Sequence, residues 1–402
     1  YEVSVRTIKS KLPEKKYIKF YFDFLYYLGT GECWYEERQP KSPTSDLLYK
    51  MWCFASYAYV FGGFMNEYLA FFFELTEPEF EALLHHSIGH SFILLKIIVL
   101  FLQRQRIKVF CKRFFETNRE YSSEKLNQQS VRRARILCYI LYFAVYFSYN
   151  GDRTNFAELQ PIKEDFISGT PIRTIITLYP SLDTPSIPYN IVRILIEIHW
   201  YYSCTVMNTI DCISLCALVF LSYKFKYLQL YFENLREKYS KLADRKNRDA
   251  LEKEYEKDFV TGVKLHQDAL WCARNVQATL GPLYSIQIVE GIVLICICLI
   301  RMVNLAYFWA NFTYMLAITT LTAAYMIPGG DVTHAAARLP LSIFYGGWDA
   351  VLARRRLRTI VVVTIINSQV PVIMTAFGII ELSYSNLIMV LRNAYSFGAV
   401  MY

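Results

Sequence analysis

Two histidines one helical turn apart, His86 and His90, lie in an apolar run with Gly89 between them and Ile93 a turn further on. Positions i, i+3, i+4 and i+7 share one helix face, so two imidazoles and the gap left by Gly89 point the same way. Such a face can orient a small molecule, hold a metal through the i, i+4 histidine pair, or satisfy polar contacts in a dry bundle. A metal needs third and fourth ligands, and the sequence spaces none to serve; its ten cysteines form no matched CxxC pairs. No metal or other cofactor is expected. Three more runs carry chemically capable faces: Phe143, Tyr146 and Phe147; Leu195, His199, Tyr202 and Val206; and Phe308, Asn311, Phe312 and Met315. Aromatic stripes at helical spacing fill a core or wall a cavity, and the residues alone leave both open. Asn311-Phe-Thr reads as a glycosylation sequon, but it falls inside an apolar run. There is no catalytic set of Asp, Ser/Lys or His at workable spacing and no phosphate-cradling glycine loop, so enzymatic activity is not expected.

The elements that must position these residues are membrane helices. Hydrophobic residues make up 54% of the 402-residue chain, charged residues 19%, and the mean hydropathy is +0.21; soluble proteins carry about 25% charge. Apolar segments run over 51–73, 82–102, 136–149, 191–222, 278–300, 305–327 and 382–402, all but the shorter 136–149 near the roughly 20 residues that cross a bilayer or longer. The net charge of +8 sits between these segments, so it reports orientation rather than nucleic-acid binding. Lys plus Arg number nine in 1–50, none in 74–81, ten in 103–135, three in 150–190, twelve in 223–274, one at Arg301 and five in 328–381. This alternation predicts an all-α membrane protein of seven transmembrane helices, N-terminus cytosolic and C-terminus extracellular.

On this reading 1–50 is a cytosolic segment, 51–327 holds spans one to six, 328–381 is cytoplasmic and 382–402 is the last span. Stretch 359–380 is apolar too, but Asn367, Ser368, Gln369 and Pro371 interrupt it. Proline removes a donor and breaks the preceding turn, so a helix ending near Ser368 and a turn into the last span are expected. Long helices are expected to project into the cytosol around 223–275, packing through Leu251, Phe259, Val263, Leu270 and Trp271, with 241–250 a disordered loop. The outer loop 150–190, with five prolines, reads as an ordered cap of turns. The basic N-terminus lacks an apolar leader, so the first span is expected to direct insertion. Charged residues inside spans are functional candidates: Glu67, Lys96, Arg193, Glu197, Asp211, Glu290 and Arg392. Arg193 and Glu197 have the spacing of a local ion pair; a pairing of Lys96 with Glu290 is left open.

The C-terminal third resembles the insect odorant receptors. The resemblance rests on FYGGWD (344–349), then ARRRLRTIVVVTIINSQVPVIMTAFGIIELS (353–383), then a terminal helix containing NAYSF (393–397). Ala394-Tyr395-Ser396 stands where the family has a Ser-Tyr-Ser-like signature. The resemblance implies the odorant-binding subunit of a heterotetrameric, ligand-gated, non-selective cation channel in the plasma membrane of a sensory neuron. Its partners would be co-receptor subunits, a small volatile, membrane lipid and permeant cations, with no nucleic acid. The family's co-receptor carries a long insertion between spans four and five, and this chain has a short link there. Cytoplasmic parts of the fourth to seventh helices would form an intracellular anchor.

The same resemblance places the odorant in the outer half of the bilayer, where the four faces of His86, Phe143, Leu195 and Phe308 lie. It places the last helix along the pore; the face of Arg392, Ser396, Ala399 and Val400 is the candidate lumen face, with Arg392 either facing the lumen or snorkelling toward the cytosol. A gustatory-type receptor channel is the nearest alternative, but its Thr-Tyr then Gln-Phe signature is absent. A G-protein-coupled receptor would need the opposite orientation and the Asp-Arg-Tyr and Asn-Pro-x-x-Tyr motifs, and a transporter would need repeated broken helices. The chain shows neither.

Overall fold

A computed structural model of the chain describes residues 13–36, 38, 42–72, 77–117, 123–151, 168–169, 186–242, 248–302, 308–351 and 355–401. Its helices are α1 (Pro13–Tyr27), α2 (Pro43–Ala70), α3 (Glu77–Glu116), α4 (Glu124–Gly151), α5 (Ile187–Leu242), α6 (Arg248–Arg301), α7 (Phe308–Ala337), α8 (Leu339–Phe344), α9 (Arg355–Ser368) and α10 (Tyr384–Met401). The expected apolar segments fall, in order, on α2 to α7 and α10. Among the described residues, three stretches, within 87–116, 187–242 and 249–301, are long and apolar enough to cross a membrane by length and composition. The helix starts are locally encoded. At α2, Ser42 Oγ accepts from Ser45 N at 3.2 Å while Ser45 Oγ accepts from Ser42 N at 3.1 Å, and Pro43 comes next, a capping box before a proline that needs no donor.

Helix α5 is the axis of the bundle. Its most apolar window is 94% buried, and every residue from Val206 to Ser222 is buried. A helix apolar on all sides must be surrounded, and α1, α3, α4, α6 and α7 surround this one. The few ionic groups in that core find one another. Lys96 Nζ (α3) lies 3.1 Å from Asp211 Oδ2 (α5) and 2.9 Å from Glu290 Oε2 (α6), and donates to Gln287 Oε1 at 2.5 Å. Tyr325 of α7 donates to Asp211 Oδ1 at 2.6 Å. The pairing left open in the sequence is therefore one edge of a network joining four helices. Arg193 donates to Asn190 Oδ1 at 2.7 Å, one turn earlier on α5.

The long extensions pack as their apolar positions require. Leu251 and Phe259 are buried, and Phe259 meets Phe232 across α5 and α6 with ring centroids 5.7 Å apart. Tyr255 donates to the Gly346 carbonyl at 2.9 Å, tying this pair to the segment after α8. Of the expected 241–250 loop, residues 243–247 lie outside the described residues, while 241–242 and 248–250 are helical. Residues 152–167 and 170–185 of the expected outer cap also lie outside them.

Helix α9 ends at Ser368, the predicted stop. The chain then forms a two-stranded hairpin, Thr375–Ala376 against Ile380–Glu381, turning through Phe377 and Gly378 at positive φ. Gln277 of α6 clamps it, donating to the Thr375 carbonyl at 2.8 Å and accepting from Thr375 N at 2.9 Å. Beyond the hairpin the chain enters α10 across α7, where Gly329 and Gly330 make room: a methyl on Gly329 would lie 2.3 Å from Leu382 Cβ. The hairpin and the notch fix where the last helix begins.

Candidate ligand-binding site

Three helices bring polar and aromatic side chains together where α2 ends and α3 begins. Glu67 of α2 is 2% exposed. It accepts from Ser87 Oγ at 3.0 Å and faces His90 Nδ1 at 3.0 and 3.1 Å through its two oxygens. A carboxylate only accepts, so His90 carries its proton on Nδ1 in this contact. The Trp200 ring of α5 stacks on His90 at 3.5 Å, and Phe64 of α2 stands edge-on to Trp200 and His199 at 5.6 and 5.4 Å. His199 Nε2 donates to the Val60 carbonyl at 3.0 Å. Gly63 makes that approach possible, since a methyl there would come within 2.2 Å of the His199 ring. The arrangement is an aromatic shell with few polar atoms, the kind of lining that small-molecule sites have.

The opposite side of α3 adds a second group. A methyl on Gly89 would meet Tyr314 OH at 3.3 Å and Leu294 at 3.8 Å, so the glycine lets α6 and α7 close on α3. Met315 packs there with the buried Leu294, Ile295, Cys298 and Ile318. On α4, Tyr146 hydrogen-bonds Thr205 Oγ1 at 2.6 Å, and Tyr142 does the same with Thr209 at 3.0 Å. Tyr202 and Val206 border a small void of about 10 Å³ with Gly29, Thr30, Ser56, Tyr57, Val60 and Ile97, room for roughly one water.

The predicted faces thus divide. His90 and His199 join one cluster; Gly89 and Met315 join the second; Ile93 and Asn311 are buried at 5% and 6% exposure. Phe143, Leu195 and Phe312 stand on the outer surface, 69%, 49% and 38% exposed, and turn away from both clusters. A helix face read from sequence covers about 100° of the cylinder, and its rotation relative to the bundle decides which residues reach inward. The side chains of His86, Phe147 and Phe308 lie outside the described residues. Sequence reasoning passed over Phe64 and Trp200 and treated Glu67 only as a buried charge. The available signal was Gly63 four residues before Glu67 in an apolar run, and His-Trp as adjacent residues of one span.

On α10, Val390 is buried against the bundle and Leu387 is partly so, whereas Ile388, Arg392, Tyr395 and Ser396 are exposed. The proposed lumen residues Arg392 and Ser396 therefore lie on the face this chain leaves uncovered. The side chains of Ala399 and Val400 lie outside the described residues.

The family model described as 7tm Odorant receptor matches residues 84–395. No curated protein matches the chain in sequence. Among solved structures, the insect olfactory receptor OR5 from Machilis hrabei in complex with eugenol aligns with a TM-score of 0.72 at 13% identity, covering 96% of this chain and 97% of that one. The structure of the same receptor described without a ligand aligns at 0.70 and 12%, with the same coverage. At such identities the likeness is one of fold.

Proposed function

The chain belongs to the 7tm odorant receptor family, and on that premise we propose that it is the odorant-binding subunit of a heterotetrameric, ligand-gated, non-selective cation channel, assembled with co-receptor subunits in the plasma membrane. The observation that carries this reading is the buried cluster of Phe64, Glu67, His90, His199 and Trp200 between α2, α3 and α5. It gives a volatile molecule apolar walls and a few fixed polar groups, which is what a small-molecule site needs. The alternation of basic segments supports an N-terminus in the cytosol, and with it a position for this cluster in the outer half of the bilayer. The uncovered face of α10, with Arg392 and Ser396, supports a role for that helix at a shared pore. The short link between α5 and α6 supports a tuning subunit rather than the co-receptor itself.

The test is electrophysiological. Cells carrying this chain with the co-receptor are exposed to a broad odorant panel, beside cells carrying either subunit alone. The expected result is odorant-evoked cation current only in the doubly expressing cells. Robust odorant-evoked current from this chain alone, or silence to every odorant with both subunits at the surface, contradicts the reading.

A further inference from the structure

His199 and Trp200 are both 1% exposed, yet each keeps one polar atom without a hydrogen-bond partner: Nδ1 of His199 and Nε1 of Trp200. Their chemistry is opposite. His199 Nε2 faces the Val60 carbonyl at 3.0 Å, and a carbonyl only accepts, so the ring proton sits on Nε2 and Nδ1 is a bare acceptor. Indole Nε1 is a donor and nothing else. Neighbouring polar groups do not relieve them, because Glu67 is engaged with Ser87 and His90. The two rings stand edge-on with centroids 4.8 Å apart, inside the shell made by Phe64 and His90. Buried polar atoms are almost always paired, and each exception in a native protein calls for an explanation. Here a donor and an acceptor are left over on adjacent residues of α5, at the site already argued to take a volatile.

The geometry points to a hydroxyl compound, an alcohol or a phenol, as the odorant class of this receptor: its O–H donates to His199 Nδ1 and its oxygen accepts from Trp200 Nε1. This rests on the odorant-binding reading of the cluster. A hydroxyl answers both atoms through one oxygen. An ether, ester, ketone or aldehyde oxygen answers the indole and leaves Nδ1 unpaired. An ammonium group donates but cannot accept, and a hydrocarbon answers neither. A site built to hydrogen-bond a hydroxyl discriminates strongly against analogues lacking it, because its own polar atoms are then left unpaired.

The experiment uses the chain co-expressed with its co-receptor under voltage clamp. The probes are 1-alkanols of about four to ten carbons, benzyl alcohol and phenol, each beside its methyl ether, with esters and ketones completing the panel. The hydroxyl compound is expected to be at least about tenfold more potent than its ether, a factor that corresponds to about 1.4 kcal/mol. Trp200→Phe is expected to lower alcohol potency to that of the ether. Replacing Trp200 by 3-benzothienylalanine, which keeps the bicyclic shape and loses only the N–H, guards against a folding defect in the phenylalanine variant and is expected to act the same way. Ether and alcohol equal in potency, or alcohol potency unmoved by loss of the N–H, overturns the assignment. A receptor answering esters or ketones with no advantage for hydroxyl compounds overturns it while leaving the odorant-receptor reading intact. Silence to the entire panel with both subunits at the surface defeats both.

Discussion

Replacing Lys96 by methionine abolishes delivery of folded receptor to the cell surface. The ammonium is fully buried between Asp211, also 0% exposed, and Glu290 at 7%. Removing it leaves two carboxylates facing each other inside the bundle with no cation between them. Breaking a buried pair by removing one partner costs about 3–5 kcal/mol, a large part of the roughly 5–15 kcal/mol that holds a domain together. A rescue is expected for the same physical reason. Lys96→Met combined with Asp211→Asn and Glu290→Gln removes all three charges at nearly constant volume and recovers much of the surface expression, because a neutral core avoids the desolvation cost. Surface labelling and size-exclusion profiles of the detergent-solubilised protein report both results. A single Lys96→Met variant with wild-type surface level and thermal stability would mean that the four-helix network contributes little.

Gly63→Ala shifts the odorant dose–response curve to about tenfold higher concentration or more, and Gly62→Ala leaves it unchanged. The two glycines are adjacent on α2, but only one faces the site. A methyl on Gly63 would come within 2.2 Å of the His199 ring, whereas one on Gly62 meets nothing within 4 Å. The ring is boxed in by Tyr59, Phe64 and Trp200, so it cannot give way without losing its bond to the Val60 carbonyl. Overpacking of this kind costs about 1–3 kcal/mol, and about 1.4 kcal/mol is a tenfold change in affinity. Gly62→Ala also controls for helix propensity, since alanine at an exposed helical position is the better helix former. Equal curves for the two variants would remove His199 from odorant recognition.

Much of this architecture can be read along the chain because the bilayer restricts it to helices of a set length. The breaker at Asn367 to Pro371 stops α9 at Ser368. The unbroken stretch from the fourth apolar segment into 223–242 becomes the 56 residues of α5. The hairpin after Ser368 was less legible. A two-residue strand pair held by Gln277, about a hundred residues away, depends on a partner that local pattern does not reveal. The site was legible in part for a related reason. Periodicity assigns residues to a face, and His90 and His199, chosen that way, both lie in the buried cluster. How far a face turns inward depends on helix rotation, which packing sets, so Phe143, chosen on equal grounds, lies 69% exposed. Trp200 was missed because its neighbour His199 defined the face, although the two rings together bound the same space.

A cysteine at Ser396, on the uncovered face of α10, gives the most direct test that this helix borders a conducting pore opened by odorant. The Ser396→Cys chain is co-expressed with the co-receptor. A membrane-impermeant, positively charged thiosulfonate is applied from outside while odorant-evoked current is recorded, with the unsubstituted receptor as control. The prediction is an irreversible change in current in the Ser396→Cys channel alone, faster when odorant is present. Complete labelling of the cysteine with current unchanged, or labelling only from the cytosolic side, would contradict it.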